Sequence, residues 1–155
     1  IVGFPGETDD DFERTLEVVD TAAYDAAYTF VFSPRPGTPA AEMADLTVSA
    51  EVVRTRMDRL TEVVEGHALT RHQARVGKVE AALVEGPSKT DPTRVSARTG
   101  QGKIVHFDAG GEVVPPGSYV RLEVTRAAPH WLEGELRSVD STPKPRPVRI
   151  PVASV

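Results

Sequence analysis

Between Val84 and Phe107 the chain reads VEGPSKTDPTRVSARTGQGKIVHF, and basic side chains recur through it. They are Lys89, Arg94, Arg98 and Lys103, with His106 as a fifth cation when protonated. Cations spaced along strands and turns can hold a nucleic-acid backbone electrostatically. The same charges can equally do no more than keep a hairpin solvated, and the stretch by itself leaves both readings open. Thiol chemistry is excluded, because the 155 residues include no cysteine. That rules out disulfides and any cysteine-ligated metal or cluster. The four histidines, His67, His72, His106 and His130, show no metal-ligand spacing. His67 and His72 stand five apart on a predicted helix, so they do not share a face as i, i+4 ligands would.

These cations need strands to position them. The alternating run Val76, Lys78–Val79 and Ala81–Val84 predicts a strand. Glu85-Gly86-Pro87 predicts its abrupt end, since glycine tolerates positive φ and proline donates no hydrogen bond. Lys89-Thr90-Asp91-Pro92 is turn material. Arg94–Arg98 and Ile104–Phe107 read as two strands of a hairpin joined through Gly100-Gln101-Gly102. Tyr119, Arg121, Glu123 and Thr125 alternate with Val120, Leu122 and Val124, the pattern of a half-buried strand. Ala127–Leu132 interrupts it, and Leu132–Leu136 begins a last one. Five short strands over residues 73–138 predict a small closed β-barrel, which hides its edges by pairing them. Lys78, Arg121 and Arg126 extend the basic set, and Tyr119, Trp131 and His106 are the candidate stacking rings for RNA. Trp131 reads more readily as a plug at the barrel end. Residues 139–155 carry four prolines and predict an extended tail bearing Lys144, Arg146 and Arg149.

Residues 1–72 have a different pattern. Ile1–Thr8 reads as a strand end running into a turn. Thr8 is placed to cap a helix whose first turn holds Asp9, Asp10 and Asp11. Phe12, Leu16 and Val19 follow at helical spacing, and aromatic-rich Tyr24–Phe32 predicts a second strand. Strand, helix, strand implies parallel pairing in an α/β sheet that needs further strands before Ile1. Two loops leave the strand ends where α/β chemistry gathers: Gly3–Thr8 and the proline-stiffened Ser33–Pro39. Ala40–Leu46 is short and helical or irregular. Ser49 then caps a long helix running to about Ala74, with Val53, Met57, Leu60 and Val64 as its apolar stripe. Arg54, Arg56, Arg59, Glu51, Asp58, Glu62 and Glu65 read as its solvated surface.

The chain is 39% hydrophobic and 26% charged, which suits a globular fold, and no apolar run is long enough to span a bilayer. Its net charge of −5 is unevenly spread. The first 69 residues hold 5 Lys and Arg against 14 Asp and Glu, and the remainder holds 13 against 9. An acidic module followed by a basic one implies different partners for the two.

The order EGPSKTDPTRVSART, then GKIVHFD, then PGSYVRLEVTRA, resembles the TRAM domain of the radical SAM methylthiotransferases, closest to the branch that modifies adenosine in tRNA. IVGFPGETDDDF and TFVFSPRPGTPAAEM resemble the last strands of the catalytic barrel of the same enzymes. The resemblance covers residues 1–137. It implies a terminal strand–helix–strand part of a radical SAM TIM-like barrel with a linking helix over residues 1–72. A small OB-like, five-stranded, tRNA-binding barrel then occupies 73–138. It implies that Gly3, Phe4, Pro5 and Gly6 form part of the S-adenosylmethionine wall, and that Ser33, Arg35 and Thr38 border the substrate cavity. Lys78, Lys89, Arg94, Arg98, Lys103 and Arg121 become the RNA-binding set. The implied cofactors are S-adenosylmethionine and two 4Fe–4S clusters in a longer parent. With no cysteine here, no catalytic or metal-binding residue is assigned and the fragment alone is expected to be inactive. The implied reaction adds a methylthio group to C2 of N6-isopentenyl-adenosine next to the anticodon. The implied partners are the tRNA anticodon stem-loop and the N-terminal remainder of the same chain, in the cytoplasm and without a membrane. The alternatives are a stand-alone RNA-binding module, or a sister enzyme acting on N6-threonylcarbamoyl-adenosine or on a ribosomal protein. The basic second half weighs against the last.

Overall fold

A computed structural model describes residues 1–143. Lys144, Arg146, Arg149 and most of the expected tail lie outside the described residues. The contacts divide the chain into two units, Ile1–Arg75 with Ala127–His130, and Val76–Arg126 with Trp131 onward.

The first unit is built on helices α1 (Asp9–Ala22), α2 (Pro39–Glu42) and α3 (Ala50–Gln73), with a 3-10 turn at Ala44–Leu46. Thr8 caps α1 reciprocally: its Oγ1 accepts from the Asp11 N–H at 3.2 Å, and the Asp11 carboxylate accepts from the Thr8 N–H at 3.0 Å. The Thr8 hydroxyl, which donates to that carboxylate at 2.6 Å, and after it the Thr8 N–H hold the Asp11 carboxyl below its ordinary value. Ser49 caps α3 through the Val52 N–H at 3.4 Å. The apolar stripe of α3 packs as its spacing implies, with Leu60 and Val64 buried beside Phe12, Val19 and Val2.

Two expectations fail in this unit. Tyr24–Phe32 is not a strand. It makes a single parallel bridge, Val2 to Val31, with Val2 N–H donating to Phe30 O and Phe32 N–H to Val2 O, both at 2.8 Å. A strand persists only when a ladder of neighbours pairs its backbone, and here one short neighbour is present. Its side chains are correspondingly bare, with Tyr28 94% exposed. Arg56 is not a surface charge. It lies three residues after Val53 and four before Leu60, hence on the apolar face, and is 5% exposed. Its guanidinium meets Glu7 Oε2 at 2.7 Å and Asp9 Oδ1 at 2.7 Å and lies 5.5 Å from the Phe12 ring centroid.

The second unit is a closed barrel of β1 (Val79–Pro87), β2 (Val95–Thr99), β3 (Ile104–Asp108), β4 (Tyr119–Ala127) and β5 (Leu132–Ser141), paired in the order β1-β2-β3-β5-β4. This is the OB-like barrel expected after a helical part. β1 runs antiparallel to β2 and β4, β2 to β3, while β3 and β5 are parallel. Ala82, Val84, Ala97, Val105, Phe107 and Leu122 are among its buried residues. Glu85-Gly86-Pro87 closes β1, which takes in all three residues before it stops at Pro87, with a bulge between Val84 and Gly86 that Gly86 accommodates at φ 135°. β5 runs on to Ser141, past the expected boundary at 138. At Gly134 a Cβ would lie 2.9 Å from the Glu123 carbonyl oxygen and 3.2 Å from Val105 Cγ1, so only glycine lets β5 come this close to β4.

Gly134→Ala should therefore destabilise the barrel by about 1–3 kcal/mol, read from its urea unfolding curve. Arg56→Met keeps the side chain's length but strands the Glu7 carboxylate. It should cost about 3 kcal/mol, read from loss of helical circular dichroism in urea.

Candidate nucleic-acid interface

β2, β3 and β5 lie side by side, with Ser96 opposite His106 and His106 opposite Glu133. Strand alternation sends Val105, Phe107 and Leu132 inward, where all three are fully buried, and leaves His106 and Glu133 half-buried on the outer side. Arg94, just before β2, reaches across them. Its Nη1 lies 3.1 Å from Glu133 Oε1 and its Nη2 donates to the His106 carbonyl at 3.0 Å. Arg126, near the end of β4, lies 3.6 Å from the same Glu133 oxygen. Its guanidinium sits 5.4 Å from the Trp131 ring centroid. His106 meets that indole edge-on, with centroids 6.2 Å apart and planes at 60°.

Burial pushes the His106 imidazole below its ordinary value, the Arg94 charge adds to this, and Glu133 opposes it. The charged form of His106 is thereby disfavoured, which weighs against the protonated state that a fifth cation requires. Lys103 also departs from expectation, being only 7% exposed and so poorly placed to meet a phosphate.

The β1–β2 loop carries Lys89. Ser88 N–H to Arg94 O at 2.8 Å closes this loop, and Asp91 Oδ1 accepts from both the N–H and the hydroxyl of Thr93. The Thr93 bonds hold the Asp91 carboxyl below its ordinary value. Among the described residues, exposed Lys89 and Lys78 have no ion-pair partner. Arg98 is held by Glu85 at 2.7 Å and the Gly102 carbonyl at 3.0 Å, and Arg121 by Asp140 at 2.9 Å. Leu83 stands opposite Arg98 on one side and Tyr119 on the other, and Ala81 stands opposite Arg121. The barrel thus gathers Arg94, Arg126, His106 and Trp131 around Glu133, and sets Arg98, Tyr119 and Arg121 on the β2–β1–β4 side. Glu133 was missed from sequence because only the parallel β3–β5 register brings it to Arg94.

In the first unit the two candidate loops line two clefts. One, of about 660 Å³, is bordered by Gly3, Pro5, Met57 and Arg54. The other, of about 510 Å³, is bordered by Ser33, Arg35 and Thr38. Val31, Phe32 and Ala40 belong to both rims. Phe4 packs edge-on against Phe32 at 5.2 Å, and Gly6 N–H donates to Leu46 O at 2.8 Å. Thr38 Oγ1 donates to Arg35 O at 2.8 Å, closing its own loop. Gly3 is required for an internal reason. Its φ is 78°, a Cβ there would lie 2.6 Å from Val53 Cγ2, and its N–H is given to Glu7 Oε2 at 2.9 Å.

The barrel carries the first likeness: residues 73–136 match the TRAM domain family. Over about nine-tenths of its length the chain is similar to three proteins named tRNA-2-methylthio-N(6)-dimethylallyladenosine synthase. The protein from Aromatoleum aromaticum is 44% identical over 141 residues, covering 91% of this chain and 31% of the relative. That from Leptothrix cholodnii is 46% identical over 136 residues, covering 87% and 29%. That from Burkholderia mallei is 43% identical over 138 residues, covering 88% and 30%. The chain therefore spans about three-tenths of the length of the curated relatives it matches.

The neutral His106 ring gives a pH signature. Its folded-state value lies below the ordinary 6.5, so the unfolded chain takes up the proton first as pH falls. The stability carried by the neutral ring is complete above pH 6.5 and is lost as pH drops toward the folded-state value. His106→Asn should flatten that part of a plot of unfolding midpoint against pH.

Proposed function

We propose that this chain is part of a tRNA methylthiotransferase that modifies C2 of N6-isopentenyl-adenosine next to the anticodon. The observation that carries the reading is a barrel matching the TRAM family, joined to a helical unit in one chain that is similar over about nine-tenths of its length to the named synthases. The barrel grips tRNA by charge. Lys78 and Lys89 flank the two ends of β1 with their ammonium groups uncommitted among the described residues, and Arg94, Arg98, Arg121 and Arg126 reach phosphate by exchanging a carboxylate partner.

Bound S-adenosylmethionine and two 4Fe–4S clusters would supply the radical and sulfur chemistry in the longer parent. The clusters do not fit this chain, which offers no cysteine ligand. An adenosine fits the first unit through apolar contact alone. Phe4 shows 45% of its surface beside Phe32, Pro5 and Gly3 border the larger cleft, and the Gly3 N–H is already committed. Gly6 shapes the turn, while Ser33, Arg35 and Thr38 line the second cleft as a rim for the substrate nucleotide. The partners are tRNA and the remainder of the parent chain, in the cytoplasm. Among the described residues no helix is long and apolar enough to cross a membrane.

Binding of a labelled tRNA anticodon stem-loop, followed by fluorescence anisotropy, should weaken linearly in log–log form as salt rises. Lys78→Glu with Lys89→Glu should weaken binding and reduce the slope by about 0.7–0.9 per lost phosphate contact. Equal affinity at low and high salt, or no binding at either, sinks the reading. Mass spectrometry of tRNA from cells lacking the full-length parent tests the reaction, which requires loss of the methylthio group.

A further inference from the structure

Trp131 is the chain's single tryptophan. Its neighbour Leu132 is fully buried, whereas Trp131 is half-buried. The indole face is covered by the Arg126 guanidinium at 5.4 Å, and its edge is braced by the neutral His106 ring. That cover is easily displaced. The Arg126 side chain is 67% exposed, and its pairing with Glu133 is long, at 3.6 Å. The Glu133 oxygen it approaches is already held by Arg94 at 3.1 Å. Two guanidinium groups thus share one carboxylate oxygen beside an aromatic face, which leaves positive charge over at a flat apolar surface. A planar guanidinium over an indole marks a position that another flat, polarisable ring can take.

We infer that Trp131, Arg126 and Arg94 form a subsite for a single unstacked RNA nucleotide. This rests on the RNA-binding reading of the barrel and adds to it a named place for one base. The base stacks on the indole where Arg126 now lies. Arg126 swings outward to the phosphate of the same nucleotide, and Arg94 holds the adjoining phosphate. Glu133 keeps both cations close to the ring until RNA arrives, and His106 sets the tilt of the indole. Because every base has a π face, the subsite selects single-stranded nucleotide over duplex and discriminates weakly among bases.

A single tryptophan makes the test direct. The chain is titrated with a short single-stranded oligoribonucleotide, following tryptophan emission while anisotropy of a label on the RNA reports binding separately. Quenching of emission over the same concentration range as binding is the expected result. An oligomer with the same backbone but abasic sites should bind with emission unchanged. Trp131→Leu should bind RNA roughly tenfold more weakly with an unaltered salt slope, and Trp131→Phe should recover most of that loss. Binding without quenching, or wild-type affinity in Trp131→Leu, overturns the subsite and leaves the RNA reading standing. Absence of binding by anisotropy overturns both. The quenching measurement uses the unaltered chain, so it decides the matter even where a variant fails to fold.

Discussion

Position 134 can hold no side chain, and the barrel depends on that. With a bare α-carbon there, β5 approaches the Glu123 carbonyl and Val105 closely enough for the sheet to close on itself. Closure supplies every strand with two paired neighbours and removes the free edges that a five-stranded open sheet would present. It also builds the interface. β5 lies parallel to β3, which puts Glu133 beside His106, and next to β4, which brings Arg126 over Trp131. The charged and aromatic groups on the outer surface are therefore placed by a packing requirement on the inner one.

The first unit rests on a different kind of contact. Arg56 donates to Glu7 through both its backbone carbonyl and its carboxylate, and that carboxylate also accepts from Gly3. A buried ion pair earns little net stability once desolvation is counted, but its hydrogen bonds fix geometry. Here they lock the Gly3–Thr8 loop and the start of α1 to α3. Side-chain hydrogen bonds, more than the one parallel bridge at Val2, thus fix the position of that loop.

What could be read from sequence divides by range. Thr8 and Ser49 were legible as caps because a cap is decided within three residues. The Gly100–Gly102 turn and the alternation of Tyr119–Thr125 were legible for the same reason. The long motif from Glu85 to Asp108 carried the resemblance to a TRAM barrel, which local pattern alone would have left as one small barrel among many. Tyr24–Phe32 has the composition of a strand, but strand formation is settled by neighbours. The charge of Arg56 suggests a solvated side chain, whereas its place on the Val53–Leu60 stripe buries it. The charge of Lys103 likewise suggests the surface, yet it is buried. The partnership of Arg94 with Glu133 spans 39 residues and hangs on strand register, so no local pattern reveals it.

The strand order also constrains how the barrel comes into being. β1, β2 and β3 follow one another as a meander and pair locally, whereas Leu83 must find Tyr119 on β4 and Phe107 must find Gly134 on β5. Remote pairings of this kind are slow to form. Until β4 and β5 have been made, β1 and β3 therefore have no strand to pair with on their outer sides. Those two edges are then open to mispairing with another chain.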